Sequence, residues 1–202
     1  MKLYIDLYQK AGFETLMSNL EGNALVEEVQ IFRSWEEYKE DFTRSTDEIK
    51  RLFETIGSLP NLKTLNLANF LAEDVQLAAF GQWENKNLGT IRIHLYKGSL
   101  SQTLMASLAR LSALRDLTLE MNQSFPFHLL LHSRKLQSLT IVGSGFEMEN
   151  SHVMELVQVI PTNETLKKLT IKPDMKLRTF KLLVSSLSQN MGIQEFKFSL
   201  RP

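Results

Sequence analysis

The feature that most constrains this chain is a recurring pattern, apolar-x-x-apolar-x-apolar. It occurs at Val26/Val29/Ile31, Leu62/Leu65/Leu67, Leu88/Ile91/Ile93, Leu114/Leu117/Leu119, Leu136/Leu139/Ile141, Leu166/Leu169/Ile171 and Ile193/Phe196/Phe198. Successive copies begin about 22 to 36 residues apart, and self-similarity at such a period decides a fold before any local feature does. Alternation within each copy predicts a strand with one buried face. Leu3-Tyr4-Ile5-Asp6-Leu7 reads as the tail of one further strand.

The residues ahead of each motif carry a second, independent period. Six positions before the motif's first residue stand Leu20, Ile56, Leu108, Leu130, Ile160 and Leu187, with Gln82 as the exception; ten before stand Leu16, Leu52, Ala78, Leu104, Leu156 and Leu183. Thirteen before stand Phe13, Ile49, Val75, Val153 and Phe180. Steps of three and four place these side chains on one helical face. Asn23, Asn85, Asn163 and Asn190, each three residues before a motif, suit helix ends because asparagine tolerates the left-handed conformation. Ser45-x-x-Glu48 and Ser99-x-x-Gln102 have capping-box spacing at two helix starts.

Strand and helix thus alternate, and right-handed crossovers lay the strands parallel. Strands pack closer side by side than helices do, so the stack is expected to curve with its sheet inside. Each buried Leu or Ile contributes roughly 1.5–3 kcal/mol, and no unit closes a core alone. The expectation is one α/β unit over residues 1–202, complete or a segment of a longer array.

In these residues the chain resembles the leucine-rich-repeat superfamily and, within it, the ribonuclease-inhibitor-like subfamily. The resemblance implies a curved solenoid of about seven repeats, with a parallel sheet on the concave face and helices on the convex one. It also implies an asparagine at the ninth motif position, hydrogen-bonded to the turn backbone. That column reads Ser34, Phe70, Tyr96, Asn122, Ser144, Asp174 and Arg201, so only Asn122 matches and irregular turns are expected.

Composition narrows the function. Lys plus Arg number 23 and Asp plus Glu 23, so no bulk positive field favours nucleic acid or an anionic membrane. The absence of cysteine removes disulfides, thiolate metal sites and thiol nucleophiles, and fits a reducing compartment. Asp6 interrupts any apolar leader, and no run reaches the roughly 20 apolar residues of a membrane span. A soluble, cytoplasmic protein is expected.

A partner is expected on the strand residues that alternate with the buried ones. The third motif column runs Glu28, Thr64, Thr90, Asp116, Ser138, Lys168, Glu195; the fifth runs Gln30, Asn66, Arg92, Thr118, Thr140, Thr170, Lys197; the seventh runs Phe32, Ala68, His94, Glu120, Val142, Lys172, Ser199. Acid gathers early, at Glu27 and Glu28, and base late, at Lys167, Lys168, Lys172 and Lys197. The widest gap, between Ile31 and Leu62, carries Trp35, Tyr38 and Phe42, residue types enriched at interface hot spots.

Signals for chemistry are weak. Gly143-Ser-Gly145 sits where a dinucleotide turn would, but Met148 occupies the third glycine position. His128 and His132 are four apart with no glutamate of the zinc-protease type between them. Asn122-Gln-Ser and Asn163-Glu-Thr match the glycosylation acceptor pattern without a secretory leader. No catalytic residue, cofactor or metal is expected. The expectation is a non-catalytic module that binds a protein partner through the sheet, with self-association through the ends of the stack also open. The resemblance allows two alternatives: a regulator of Ran-type GTPases, or a structural segment of a larger receptor or ubiquitin-ligase adaptor.

Overall fold

A computed structural model describes residues 1–7, 12–32, 45–76, 78–83, 85–98, 100–123, 125, 127–143, 147–172 and 175–198. The chain is α/β. Eight strands form one sheet: β1 Lys2–Asp6, β2 Glu28–Phe32, β3 Thr64–Leu71, β4 Thr90–Lys97, β5 Asp116–Met121, β6 Ser138–Gly143, β7 Lys168–Ile171 and β8 Glu195–Phe198. Every neighbouring pair is parallel, and the order in the sheet is the order in the chain. Six α-helices intervene: α1 Phe13–Leu20, α2 Thr46–Gly57, α3 Ala72–Gln76, α4 Gln102–Arg110, α5 Asn150–Val159 and α6 Leu177–Leu187.

The strands pair motif on motif. Val29 lies beside Leu65, Leu65 beside Ile91, and the column continues through Leu117, Leu139 and Leu169 to Phe196. Leu3 of β1 extends it at the other end, as the sequence of that segment leads one to expect. The inner members of the column are almost wholly buried in one apolar cluster, which also takes in Phe13, Ile49, Leu52, Leu104, Leu156 and Leu183 from the helices. A slip of one residue in any strand would turn its apolar set out to solvent, so the buried columns fix the register.

The helices depart from expectation in two intervals. Between β5 and β6, the shortest interval, the return element is a 3-10 turn over Phe127–His132 rather than an α-helix. Between β3 and β4 the expected helix is divided into α3 and a 3-10 turn over Phe80–Gln82, in the repeat where Gln82 breaks the apolar column. The capping box at Ser45 forms in full: the Ser45 hydroxyl accepts from the Glu48 amide, and the Glu48 carboxylate accepts from the Ser45 amide. At α4 the cap is Ser101, whose hydroxyl accepts from the Leu104 amide at 3.2 Å, and not the expected Ser99, which lies outside the described residues.

The four asparagines do something other than end helices in the left-handed conformation: none of them has a positive φ. Each instead folds its side chain into the turn that leads to the next strand. Asn163 Oδ1 accepts from the Thr165 and Leu166 amides at 3.2 and 2.8 Å, while its Nδ2 donates to the Leu131 carbonyl of the preceding repeat at 2.7 Å. Asn85 does the same with the Asn87 and Leu88 amides and the Leu59 carbonyl. Asn190 accepts from Gly192 and Ile193 and donates to the Ile160 and Asn163 carbonyls. Ser133 fills the same slot before β6, accepting from the Lys135 and Leu136 amides. Asn23, with only β1 before it, turns its Nδ2 to Asn19 in its own helix. Asn85, Asn163 and Asn190 thus both shape a turn and tie it to the previous one, satisfying backbone groups that would otherwise be buried unpaired.

Two outcomes follow for stability. Leu117→Asp puts a carboxylate into the buried column and should abolish cooperative unfolding in a calorimetric scan; a normal melt would overturn the register. Asn163→Ala strands a carbonyl and two amides and should cost about 1–3 kcal/mol by urea titration. Asn163→Asp, which sets an acceptor against the Leu131 carbonyl, should cost at least as much, and Asn23→Ala at the end of the stack should cost much less.

Candidate interaction surface

The same alternation that buries one face of each strand leaves the other uncovered by the helices. The register assembles this face into rows. Glu28, Thr64, Thr90, Asp116, Ser138, Lys168 and Glu195 are successive partners in one row, and Gln30, Asn66, Arg92, Thr118, Thr140, Thr170 and Lys197 in the next. Neighbouring residues in a row stand about 4.8 Å apart by strand spacing. Arg92, Asp116, Lys168 and Lys197 are exposed; Glu28, Gln30, Asn66, Thr118, Thr140 and Thr170 are half-buried by one another. β1 adds Lys2 and Tyr4 to the rows, the latter 59% exposed. These two are absent from the sequence-based set, although the alternation of Leu3, Tyr4 and Ile5 carried the signal.

The third row is less regular. Phe32 partners Ala68, and His94 partners Glu120, which partners Val142. Between them the pairing of β3 with β4 shifts after Leu67, where Asn69 adopts φ 62°, so that Phe70 pairs with Leu95 and His94 has no opposite number on β3. The bulge explains the ninth column too: it turns Phe70 into the core, its ring 6.1 Å from Phe53. Asn122, the one match in that column, donates through Nδ2 to the Tyr96 carbonyl near the end of β4 at 2.7 Å. Lys172 lies one residue beyond the end of β7 and is exposed, its amide still donating to the Ile141 carbonyl. Trp35, Tyr38 and Phe42 lie outside the described residues, as do Ser144, Gly145 and Ser199.

Electrostatically the face is more balanced than its sequence suggests. At the acidic end Glu28 pairs with Lys2 at 2.7 Å, and Glu27 pairs with Lys63. The Lys63 hydrogen bond holds the Glu27 carboxyl below the usual carboxylate range, and the Glu28 bond holds the Lys2 ammonium above its ordinary value. At the basic end Lys168 and Lys197 share Glu195, whose carboxyl Lys197 holds low. The acidic end is thereby neutralised, whereas the basic end keeps an excess of positive charge, because the one Glu195 carboxylate meets two of its four lysines. Among the described residues Arg92, Asp116 and Glu120 at the centre make no ion pair, and neither do Lys167 and Lys172 at the basic end.

His128 and His132, four apart in the sequence, divide. His132 is exposed, while His128 is half-buried on the 3-10 turn and points at α5. Its Nδ1 stands 2.6 Å from Glu155 Oε2, an ion-pair distance without hydrogen-bond geometry, and neither atom has another hydrogen-bond partner among the described residues. Burial is the leading influence and pushes the His128 pKa down, outweighing the attraction of Glu155; His132 and His152 push the same way. Among the described residues no three His, Asp or Glu side chains converge as metal ligands do.

A histidine with a depressed folded-state pKa binds its proton more weakly folded than unfolded. Its contribution to stability is present above the unfolded-state pKa and is lost as the pH falls through the folded one. The melting temperature should therefore decline on acidification from pH 7, and His128→Gln should flatten that decline; parallel curves for the two proteins would rule it out. Compared with known proteins, the chain matches no family model and no curated protein sequence.

Proposed function

We propose that this chain is a leucine-rich-repeat solenoid of the ribonuclease-inhibitor-like kind, acting without catalysis as a cytoplasmic protein-interaction module that takes its partner on the open face of the sheet. The observation that carries this reading is the in-register surface itself. Seven motif-bearing strands, with β1 as an eighth, present uncovered polar rows across a rigid sheet whose opposite face is the core.

Such a face offers recognition by many small polar contacts around a few anchors. Threonine hydroxyls at positions 118, 140 and 170 and the Asn66 amide donate and accept from fixed strand positions, so little side-chain entropy is lost on binding. Arg92 is the natural anchor: it is exposed, flanked by Asn66 and Thr118, and carries a side chain type enriched in hot spots. Asp116 and Glu120, one strand away, suit a partner that brings a basic group beside an acidic one. No helix of the described residues is long and apolar enough to cross a membrane, which accords with a partner met in solution.

Arg92→Glu combined with Lys168→Glu changes only exposed side chains and should leave the melting temperature within about 2 °C of wild type. The same variant should lose the protein captured from a lysate of the source cells by the immobilised wild-type chain, whereas Lys50→Glu on α2 should retain it. Capture unaffected by the double substitution, or lost equally with Lys50→Glu, would move the site off the sheet face.

A further inference from the structure

The two ends of the stack differ in chemistry. At the first end α1 is exposed through Glu14, Thr15, Ser18 and Asn19. At the last end α6 is tied to α5 by Thr179, whose hydroxyl donates to Asn150 Oδ1 at 2.8 Å, and by Ser186, whose hydroxyl donates to the Val157 carbonyl at 2.7 Å. Leu177 and Val184 lie on the opposite side of that helix and are 61% and 43% exposed. Beside them β8 keeps Phe196 and Phe198 only partly buried, with the Phe198 ring stacked 4.3 Å from Phe180, whereas their counterparts in β7, Leu169 and Ile171, are fully buried. The outer edge of β8 has no strand partner among the described residues.

The sequence of that edge strand, Glu195-Phe-Lys-Phe198, is self-complementary when reversed. Phe196 and Phe198 face the core and Glu195 and Lys197 face the open side, so an antiparallel copy must pair residues of like facing. A two-fold axis through Phe196 sets Glu195 of each copy against Lys197 of the other, with Phe196 against Phe196. Displacing the register by two residues would set Lys197 against Lys197, which is unfavourable. With the sheets joined edge to edge and the helices of both copies on the same side of the sheet, the two α6 helices become neighbours across the two-fold. That brings the exposed Leu177 and Val184 stripes together.

We propose that the β8–α6 end is an isologous interface on which a second copy of this chain docks, extending the sheet antiparallel across the two-fold. The charge pairing selects the register, the aromatic and aliphatic side chains supply the buried area, and the dimer closes because an isologous contact uses the same edge of both copies and leaves no second β8 edge to extend. This inference concerns the edge of the sheet and stands apart from the partner-binding reading of its open face.

The test is sedimentation velocity of the full 202-residue chain over a dilution series, with Lys197→Glu and Glu195→Lys measured separately and mixed. Wild type should run as a dimer that dissociates on dilution. Each substitution alone sets like charges opposite and should weaken association roughly tenfold or more, while the equimolar mixture, in which an acidic strand meets a basic one, should recover it as a heterodimer. Both side chains face the open side of the sheet, so each variant should keep the wild-type circular dichroism spectrum and a cooperative melt, its midpoint lowered only by the lost association, which excludes misfolding as the cause. A wild-type monomer throughout the series, association indifferent to either substitution, a mixture that fails to recover, or an open-ended ladder of head-to-tail oligomers would each overturn the proposal.

Discussion

Everything in this structure depends on holding parallel strands from successive repeats in one register, because the core is shared between units and none closes by itself. Apolar columns set that register, but a column of leucines is a soft constraint along its own length. The directional part comes from the turns before the strands. There Asn85, Asn163 and Asn190 each accept from the turn ahead and donate to the repeat behind. Asn61 and Asn87 add a second rung, donating to the Ala24 and Pro60 carbonyls. Hydrogen bonds demand a specific distance and direction where dispersion does not, so these side chains convert an approximate stacking into a defined one.

The backbone at the same level repeats the device. The Lys63 carbonyl accepts from both the Gly89 and Thr90 amides, the Gly89 carbonyl from Arg115 and Asp116, and the pattern continues to the Lys167 carbonyl with Gln194 and Glu195. Where the slot holds leucine, at Leu59 and Leu111, the turn is closed by that residue's own carbonyl, bonded to the Leu62 and Leu114 amides at 3.5 and 3.3 Å. The turns are thus alike in outline although their side chains differ, which is how intervals of unequal length deliver strands that start in the same register.

A rigid register has consequences on the side facing away from the core. Residues far apart in sequence become immediate neighbours, and their charges are set by those neighbours. Glu28 and Glu27, acidic in sequence, meet Lys2 and Lys63; Lys168 and Lys197, basic in sequence, meet Glu195. The central strands, with Arg92 and Asp116, keep their charge because the residues beside them in the rows are asparagine and threonine for Arg92 and threonine and serine for Asp116. At the edges the same geometry leaves β1 beside a helix whose exposed face is polar and β8 beside one that exposes Leu177, Leu182 and Val184.

The sequence by itself determined which residues are buried and in what order the strands lie, because periods of two and of three to four are local properties that a single chain displays in full. Leu65, Leu117 and Leu169, and the helix residues Leu52, Leu104 and Leu156, could be assigned to the core from spacing alone. It also located the capping box at Ser45 and the rows of the open face. The tertiary structure decided the rest. The short interval before β6 leaves no room for an α-helix, and the bulge at Asn69 displaces His94 from its row. Asn85, Asn163 and Asn190 act on the repeat behind them rather than on their own helix ends, and the acidic end of the charge gradient is neutralised by lysines one strand away. Each of these depends on atoms contributed by a different repeat, and the position of a neighbouring repeat is not a property of any local stretch of chain.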